Sequence, residues 1–255
     1  MLLAVDVGNT NITFGIFEDE QLRATWRMAT NVNQMADEYA ALLLTLLRQR
    51  GLDTPDITEV VFCGVVPPLH TIFEEIFQRY FHISPLVVGP GVKTGVRIRM
   101  ENPREVGTDR IVNAAAAHSL YGGAVIIVDI GTATTFDTVS KEGDYLGGAI
   151  ATGIATAAEA LFSKAAALPR VELVRPKHAI GTSTIAAMQS GIIFGYVGLI
   201  EGIVARIQQE LNEKATVVAT GGYTALIAKE TAVIDTVNPD LTLIGLRLVY
   251  LMNKD

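Results

Sequence analysis

The sequence predicts an α/β fold built by internal duplication, and three observations carry that prediction. A short acidic, glycine-containing turn occurs twice, as Leu3-Ala4-Val5-Asp6-Val7-Gly8-Asn9-Thr10 and as Ile126-Ile127-Val128-Asp129-Ile130-Gly131-Thr132-Ala133-Thr134-Thr135. Each copy opens a run of three strand-like segments. Each run is followed by alternating helical and apolar strand-like segments, so the same order appears in both halves.

In the first half, Leu2 to Val7, Asn11 to Phe17 and Gln21 to Met28 read as strands. They are separated by breaks at Gly8-Asn9 and Glu18-Asp19-Glu20. Met35 to Arg50 places Tyr39, Leu42, Leu43 and Leu46 on one helical face. Val60 to Val66 reads as a strand stopped by Pro67-Pro68, Leu69 to Tyr80 as a helix, and Leu86-Val87-Val88 as a buried strand before Gly89-Pro90-Gly91. Asn102, Pro103 and Glu105 suit the N-cap, N1 and N3 positions of a further helix, with Asp109 and Asn113 one turn apart above Ala114 to Ala117. After a boundary near Leu120-Tyr121-Gly122-Gly123, three strands are expected at Ala124 to Asp129, Thr134 to Val139 and Asp144 to Ile150. Helices follow at Ala155 to Ala167 and about Ser183 to Leu211. Then come a strand at Val217 to Ala219, a short helix at Tyr223 to Ala228, a strand at Val233 to Thr236 and a closing helix at Leu241 to Met252.

Composition narrows the function classes. The chain has 255 residues, the length of one large domain or two ordinary ones, and 49% of them are hydrophobic, enough for a sizeable core. Net charge is −7 with no run of Lys or Arg, which argues against a nucleic-acid partner. An acidic protein that binds an anion needs cations, amide-lined turns or a few placed arginines. Cys63 is the single cysteine, so no internal disulfide is expected; it reads as a buried structural thiol. The N-terminus lacks a basic leader segment, and no segment reads as long enough to cross a bilayer. The expected location is the cytoplasm, with no membrane partner. His70, His82, His118 and His178 show no zinc-like spacing, and no Gly-x-Ser-x-Gly occurs. Trp26 reads as strand packing.

Neither acidic turn leads into a helix, as a dinucleotide fingerprint would, and no Walker-type loop is present. A phosphate would therefore rest in hairpin turns, held by backbone N–H groups and hydroxyls. Asp6 is the first candidate for such a site. Asn9, Thr10, Asn11 and Thr13 crowd its turn, and Gly8 permits close backbone approach. Asp129 comes with Gly131, Thr132, Thr134 and Thr135. Two carboxylates facing a polyphosphate imply an intervening cation, magnesium carried with the nucleotide. Gly107-Thr108-Asp109-Arg110 sets a proton acceptor beside an anion-binding guanidinium; its spacing alone also allows an ordinary helix turn. Thr220-Gly221-Gly222 could let a base or ribose pack on backbone, or could simply turn a strand into a helix. Thr184 starts the long helix and by itself reads as an N-terminal cap or first-turn residue.

Taken together, these motifs resemble type III pantothenate kinase. The resemblance rests on Asp6-Val7-Gly8-Asn9-Thr10, Gly89-Pro90-Gly91-Val92-Lys93-Thr94-Gly95, Asn102-Pro103 with Gly107-Thr108-Asp109-Arg110, and Asp129-Ile130-Gly131-Thr132-Ala133-Thr134. It also takes in Gly147-Gly148-Ala149-Ile150 with Gly153, and Thr182 to Thr184 with Gly191. It implies a duplicated ribonuclease H-like, actin-like fold of two lobes, residues 1–120 and 121–255, each a mixed sheet flanked by helices. It implies ATP-dependent phosphorylation of pantothenate to 4'-phosphopantothenate, the first step of coenzyme A biosynthesis. Asp6, Val7, Gly8, Asn9, Thr10, Asn11, Ile12 and Thr13 would form the ATP phosphate loop, and Thr132 would touch ATP. Gly107, Thr108, Asp109 and Arg110 would bind pantothenate, with Asp109 as general base and Arg110 on the substrate carboxylate. Thr184 would also meet the substrate, and Asp129 would hold potassium or ammonium. The resemblance further implies a homodimer whose substrate pocket is completed by the second subunit. Two departures stand out: Met100 replaces the family's usual Tyr, and Gly64-Val65-Val66-Pro67 replaces a Ser-Val-Val-Pro segment. A kinase for another hydroxyl substrate and a non-catalytic regulator are the alternatives. Retention of Asp6, Asp109 and Asp129 together favours catalysis.

Overall fold

The computed structural model describes residues 1–254. The chain runs β1 (Leu2–Val7), β2 (Asn11–Glu18), β3 (Gln21–Ala29), α1 (Ala36–Gln49), β4 (Glu59–Gly64), α2 (Pro67–Ile76), β5 (Leu86–Val87), β6 (Arg97–Ile98) and α3 (Thr108–Tyr121). It continues through β7 (Val125–Ile130), β8 (Ala133–Val139), β9 (Asp144–Thr152), α4 (Ile154–Lys164), α5 (Thr184–Leu211), β10 (Thr216–Thr220), α6 (Thr224–Ile227), β11 (Thr236–Val237) and α7 (Leu241–Asn253). Contacts group these into two compact units: Met1–Gly95 with Asn102–Ala116 and Thr242–Asp255, and Val96–Glu101 with Ala117–Leu241. These units are discontinuous in sequence, whereas the sequence repeat divides near residue 120: the closing segment groups with the first unit, and Val96–Glu101, through β6 beside β9, with the second.

The duplication is visible in the sheets. The first has the order β3-β2-β1-β4-β5, and the second contains β9-β8-β7-β10-β11, the same order of equivalent strands, with β6 added beside β9. In each, the central strand pairs antiparallel with the hairpin strand that follows it and parallel with a strand reached through a helix. Both sheets are therefore mixed. In the first unit Leu3, Val5, Val7, Ile12, Phe14 and Ile16 alternate onto one face and meet Tyr39, Leu43 and Leu47 of α1 and Phe73 of α2. Tyr39 and Phe73 pack as tilted rings with centroids 5.3 Å apart. Trp26 packs at the margin of this cluster, as its strand position predicted. In the second unit Ile126, Val128, Ile130 and Phe136 meet Ile193, Val197, Ile200 and Val204 of α5.

Several local expectations change. Pro67 and Pro68 do not merely stop a strand; they open α2, where proline's fixed φ and missing N–H cost nothing, and β4 ends at Gly64. The helix predicted from Asn102 is a single 3₁₀ turn, Pro103–Glu105. Asn102 Oδ1 accepts from Arg104 N, but the Glu105 side chain accepts from the Asn102 amide instead of reaching the cap backbone. The chain then breaks at Val106-Gly107, and the α-helix starts at Thr108. The last short strand is Thr236–Val237, later than expected. Strand β6 is too short to carry a sequence signal. The expectation that no segment is long enough to span a bilayer fails on length and composition alone, since α5 is an apolar helix of 28 residues. Its buried face, Ile193, Tyr196, Val197, Ile200 and Val204, lies in the second core, and Tyr196 Oη donates to the Thr152 carbonyl at 3.0 Å.

Strand β6 is pinned by charge. Arg97 donates to both oxygens of Asp144, at 2.8 and 2.7 Å, and Arg99 donates to Oδ2 at 2.8 Å. These guanidinium bonds hold the Asp144 carboxyl down at about 2. A carboxyl depressed on folding stabilises the native state above its unfolded value and loses that contribution as pH falls through the folded one. Asp144→Asn is therefore expected to lower the Tm by a constant amount above about pH 5. The gap to wild type should close as pH approaches 2 in a series of thermal melts.

Candidate active site

The first unit sets Asp6 at the penultimate position of its central strand. Across one edge Asp6 opposes Thr13 of β2; across the other it opposes Cys63 of β4. The turn between β1 and β2 closes through Gly8 N donating to the Asn11 carbonyl at 3.0 Å, and a Cβ on Gly8 would lie 2.9 Å from that same oxygen. A side chain there would disturb the turn, which accounts for the glycine. Asn9, Thr10 and Asn11 are exposed at its tip, while the side chains of Val7 and Ile12 are fully buried. Val7 and Ile12 can thus offer a ligand only backbone. Thr30, at the end of β3, braces the loop: its hydroxyl donates to the Gly8 carbonyl at 2.7 Å and its N–H to the Thr10 carbonyl at 2.9 Å. Thr30 carries no motif of its own, so sequence reasoning missed it.

Cys63 is a second addition. Its buried Sγ donates to Asp6 Oδ1 at 3.5 Å. Burial pushes the thiol pKa well up, and the carboxylates of Asp6 and Asp109 push it further. The thiol therefore stays neutral, a donor that adds no negative charge between two aspartates. Asp109 lies in the first turn of α3, where its Oδ1 accepts from Arg110 N at 2.8 Å. A Cβ on Gly107 would sit 2.5 Å from that oxygen, so glycine at 107 is what lets the carboxylate fold back. Thr108 Oγ1 donates to the Gly64 carbonyl at 3.4 Å, tying the start of α3 to the end of β4. Asp6, Cys63, Gly64, Gly107, Thr108, Asp109 and Arg110 thus belong to one unit, at the ends of β1 and β4 and the start of α3.

The second unit repeats the acidic turn in tighter form. Asp129 is again penultimate in the central strand and opposes Thr135 and Thr220. Gly131 N donates to the Ala133 carbonyl at 3.0 Å, closing a turn in which Thr132 is exposed. Thr132's carbonyl accepts from Gly153 N at 3.1 Å and from Thr156 Oγ1 at 2.9 Å. The Thr220-Gly221-Gly222 segment comes against Asp129: a Cβ on Gly221 would lie 2.5 Å from Asp129 Oδ1 and 2.6 Å from the Ile130 carbonyl, at φ +94°. Thr184 is the exposed first residue of α5, behind Ser183, whose hydroxyl accepts from Ala186 N at 3.2 Å as the true N-cap. Thr184 also lines an apolar groove of about 960 Å³ with Ile150, Met188, Gly191 and Ile192.

Asp129 places a carboxylate oxygen beside the Gly221 backbone, whereas the hydroxyl of its strand partner Thr135 is turned to Asp137 Oδ2 at 2.9 Å and the Ile130 carbonyl accepts from Tyr223 N at 3.3 Å. A carboxylate oxygen of this kind fits a hard cation. Among the described residues no three His, Cys, Asp or Glu side chains group as a ligand set.

The walled position of Gly221 gives a test. Gly221→Ala is expected to destabilise the protein by about 2–4 kcal/mol, combining backbone strain with the clash against Asp129. Gly222→Ala, which meets nothing within 4 Å, should leave the denaturation midpoint near wild type.

Comparison with known proteins fits this geometry. The chain aligns with a type III pantothenate kinase from Dehalococcoides mccartyi strain CBDB1 at 59% identity over 99% of this chain and 96% of that protein. It aligns with one from Moorella thermoacetica at 55% identity over 99% and 100%. Among solved structures it is similar to the activator of 2-hydroxyisocaproyl-CoA dehydratase from Clostridium difficile with bound ADPNP. The TM-score is 0.56 at 14% identity, over 99% of this chain and 94% of that one. It is also similar to ROK hexokinase from Thermus thermophilus, with a TM-score of 0.51 at 15% identity over 99% of both chains. These likenesses establish the duplicated ribonuclease H-like, actin-like fold. The family model for type III pantothenate kinase matches residues 2–206, and the chain belongs to that family.

Proposed function

We propose that this protein transfers the γ-phosphoryl group of ATP to the terminal hydroxyl of pantothenate, giving 4'-phosphopantothenate for coenzyme A synthesis, with Asp109 as general base. The observation that carries the base assignment is the placement of Gly107-Thr108-Asp109-Arg110 at a helix start in the same unit as Asp6. In this reaction the pantothenate oxygen forms the new P–O bond as the bond from γ-phosphorus to the β–γ bridging oxygen breaks. Asp109 accepts the hydroxyl proton. Its Oδ1 accepts from the Arg110 N–H, and positioning is the main protein contribution to phosphoryl transfer. The Arg110 guanidinium binds the pantothenate carboxylate.

The turn from Asp6 through Thr13 receives the ATP phosphates on its exposed amide and hydroxyl tip, and Thr132 contacts ATP from the second acidic turn. Asp6 would hold magnesium arriving with the nucleotide, and Asp129 a potassium or ammonium ion; both cations would neutralise phosphate charge. The neutral Cys63 thiol supports this role of Asp6 by donating to it without competing charge. Thr184 contacts pantothenate. A second copy of the chain completes that pocket; the apolar groove beside Thr184, with Ile150 67% exposed, supports a homodimer on this face.

Asp109→Asn is expected to lower kcat by about 10²–10⁴-fold while ATP binding is retained. A coupled ADP-release assay with a parallel nucleotide-binding titration reads both; a near wild-type rate would remove the general base. Turnover should be low in sodium-only buffer and restored by potassium. Equal rates in the two buffers would remove the monovalent cation from Asp129.

A further inference from the structure

We infer that His70 is a positioning residue for the reaction, acting through the carbonyl of Gly64 on Thr108 and hence on Asp109. The last residue of β4 offers one carbonyl oxygen to two side chains. His70 Nε2 meets it at 3.0 Å and Thr108 Oγ1 at 3.4 Å. Opposite a carbonyl oxygen only an N–H makes a hydrogen bond, so Nε2 carries the proton. The His70 bond is the shorter of the two and reaches back six residues from α2 to the strand end. It fixes where the carbonyl points. The Thr108 bond is long and therefore sensitive to that direction.

The imidazole is itself held in place. It stands edge-on to the fully buried ring of Phe62, with centroids 5.7 Å apart and planes at 87°. Gly64 makes room for it: a Cβ at position 64 would lie 3.0 Å from His70 Nε2 and 3.1 Å from Val7 Cβ. Gly64 and His70 are thus fitted to each other. Thr108 is the first residue of α3 and Asp109 the second, so a change in the Gly64 carbonyl passes directly to the turn that carries the carboxylate. Cys63, one residue before Gly64, donates to Asp6. The end of β4 consequently touches the turns of both aspartates, and His70 is the side chain that sets its final carbonyl.

This inference rests on the assignment of Asp109 as the base, and the test separates the two. His70→Phe keeps a ring against Phe62 and removes the donor; His70→Gln keeps a donor and removes the ring. Both are compared with Thr108→Val, the His70→Phe/Thr108→Val double variant and Asp109→Asn in the full chain, by ADP release with pantothenate and ATP varied separately. His70→Phe should lower kcat/KM for pantothenate about tenfold with little change in KM for ATP. His70→Gln should recover most of that loss. In the Thr108→Val background the His70→Phe loss should largely vanish, because both act through one carbonyl. Wild-type kcat/KM in His70→Phe, an equal loss in His70→Gln, or additive losses in the double variant would each overturn the inference. If Asp109→Asn is inactive while His70→Phe is normal, only the role of His70 falls. If Asp109→Asn turns over normally, the general base itself falls.

Discussion

The arrangement of this protein depends on how one strand in each sheet is paired near its C-terminal end. β1 continues through a tight hairpin into an antiparallel neighbour, and on its other edge it runs parallel to β4, which is reached only through a helix. Those two pairings bring a hairpin turn and a strand-to-helix exit to the same end of the sheet. Asp6 sits between them, with Thr13 on one side and Cys63 on the other. The backbone ladder leaves the side chain one residue from the turn, where it can face a ligand while Val5 and Val7 face the core. β7 imposes the same arrangement on Asp129, between Thr135 and Thr220.

The duplication is one of backbone pairing, and chemistry has diverged on it. Around Asp6 the turn has three residues between strands, an exposed tip of amides and hydroxyls, and a thiol donor held neutral by burial and by two carboxylates. Around Asp129 the turn is one residue shorter and its carbonyl is capped by Gly153 and Thr156. A glycine with positive φ presses its backbone against the carboxylate. An open amide-rich tip suits a polyanion, whereas a carboxylate in a closed turn suits a cation. The segment Gly107 to Arg110, to which the proposed function gives the acceptor role, has no counterpart in the sequence repeat.

Much of this was legible in the sequence because it depends on short-range periodicity. The alternating Leu3, Val5, Val7 and Ile12, Phe14, Ile16 predict paired strands, and recurrence of Asp-x-Gly predicts the duplication. What was not legible depends on tertiary contact. Pro67-Pro68 ends a strand and also begins a helix, and only the helix's packing chooses between them. Arg97 and Ile98 form a strand because Asp144 and Tyr145 lie beside them, not because two residues carry a pattern. Gly107 and Gly221 look like ordinary turn glycines until the carboxylates that fill their missing Cβ positions are seen. His70 appears alone in the sequence, and its role depends on a backbone oxygen that no side-chain motif marks.

On the proposed function, two structurally equivalent aspartates have unequal tasks. Potassium titration of pantothenate-dependent ADP release in Asp6→Asn and Asp129→Asn tests it most directly. Asp129→Asn should leave a residual rate that no longer responds to potassium. Asp6→Asn should lower the rate and weaken ATP·Mg saturation while keeping the wild-type potassium midpoint. A shifted potassium midpoint in Asp6→Asn, with an unchanged one in Asp129→Asn, would contradict the account.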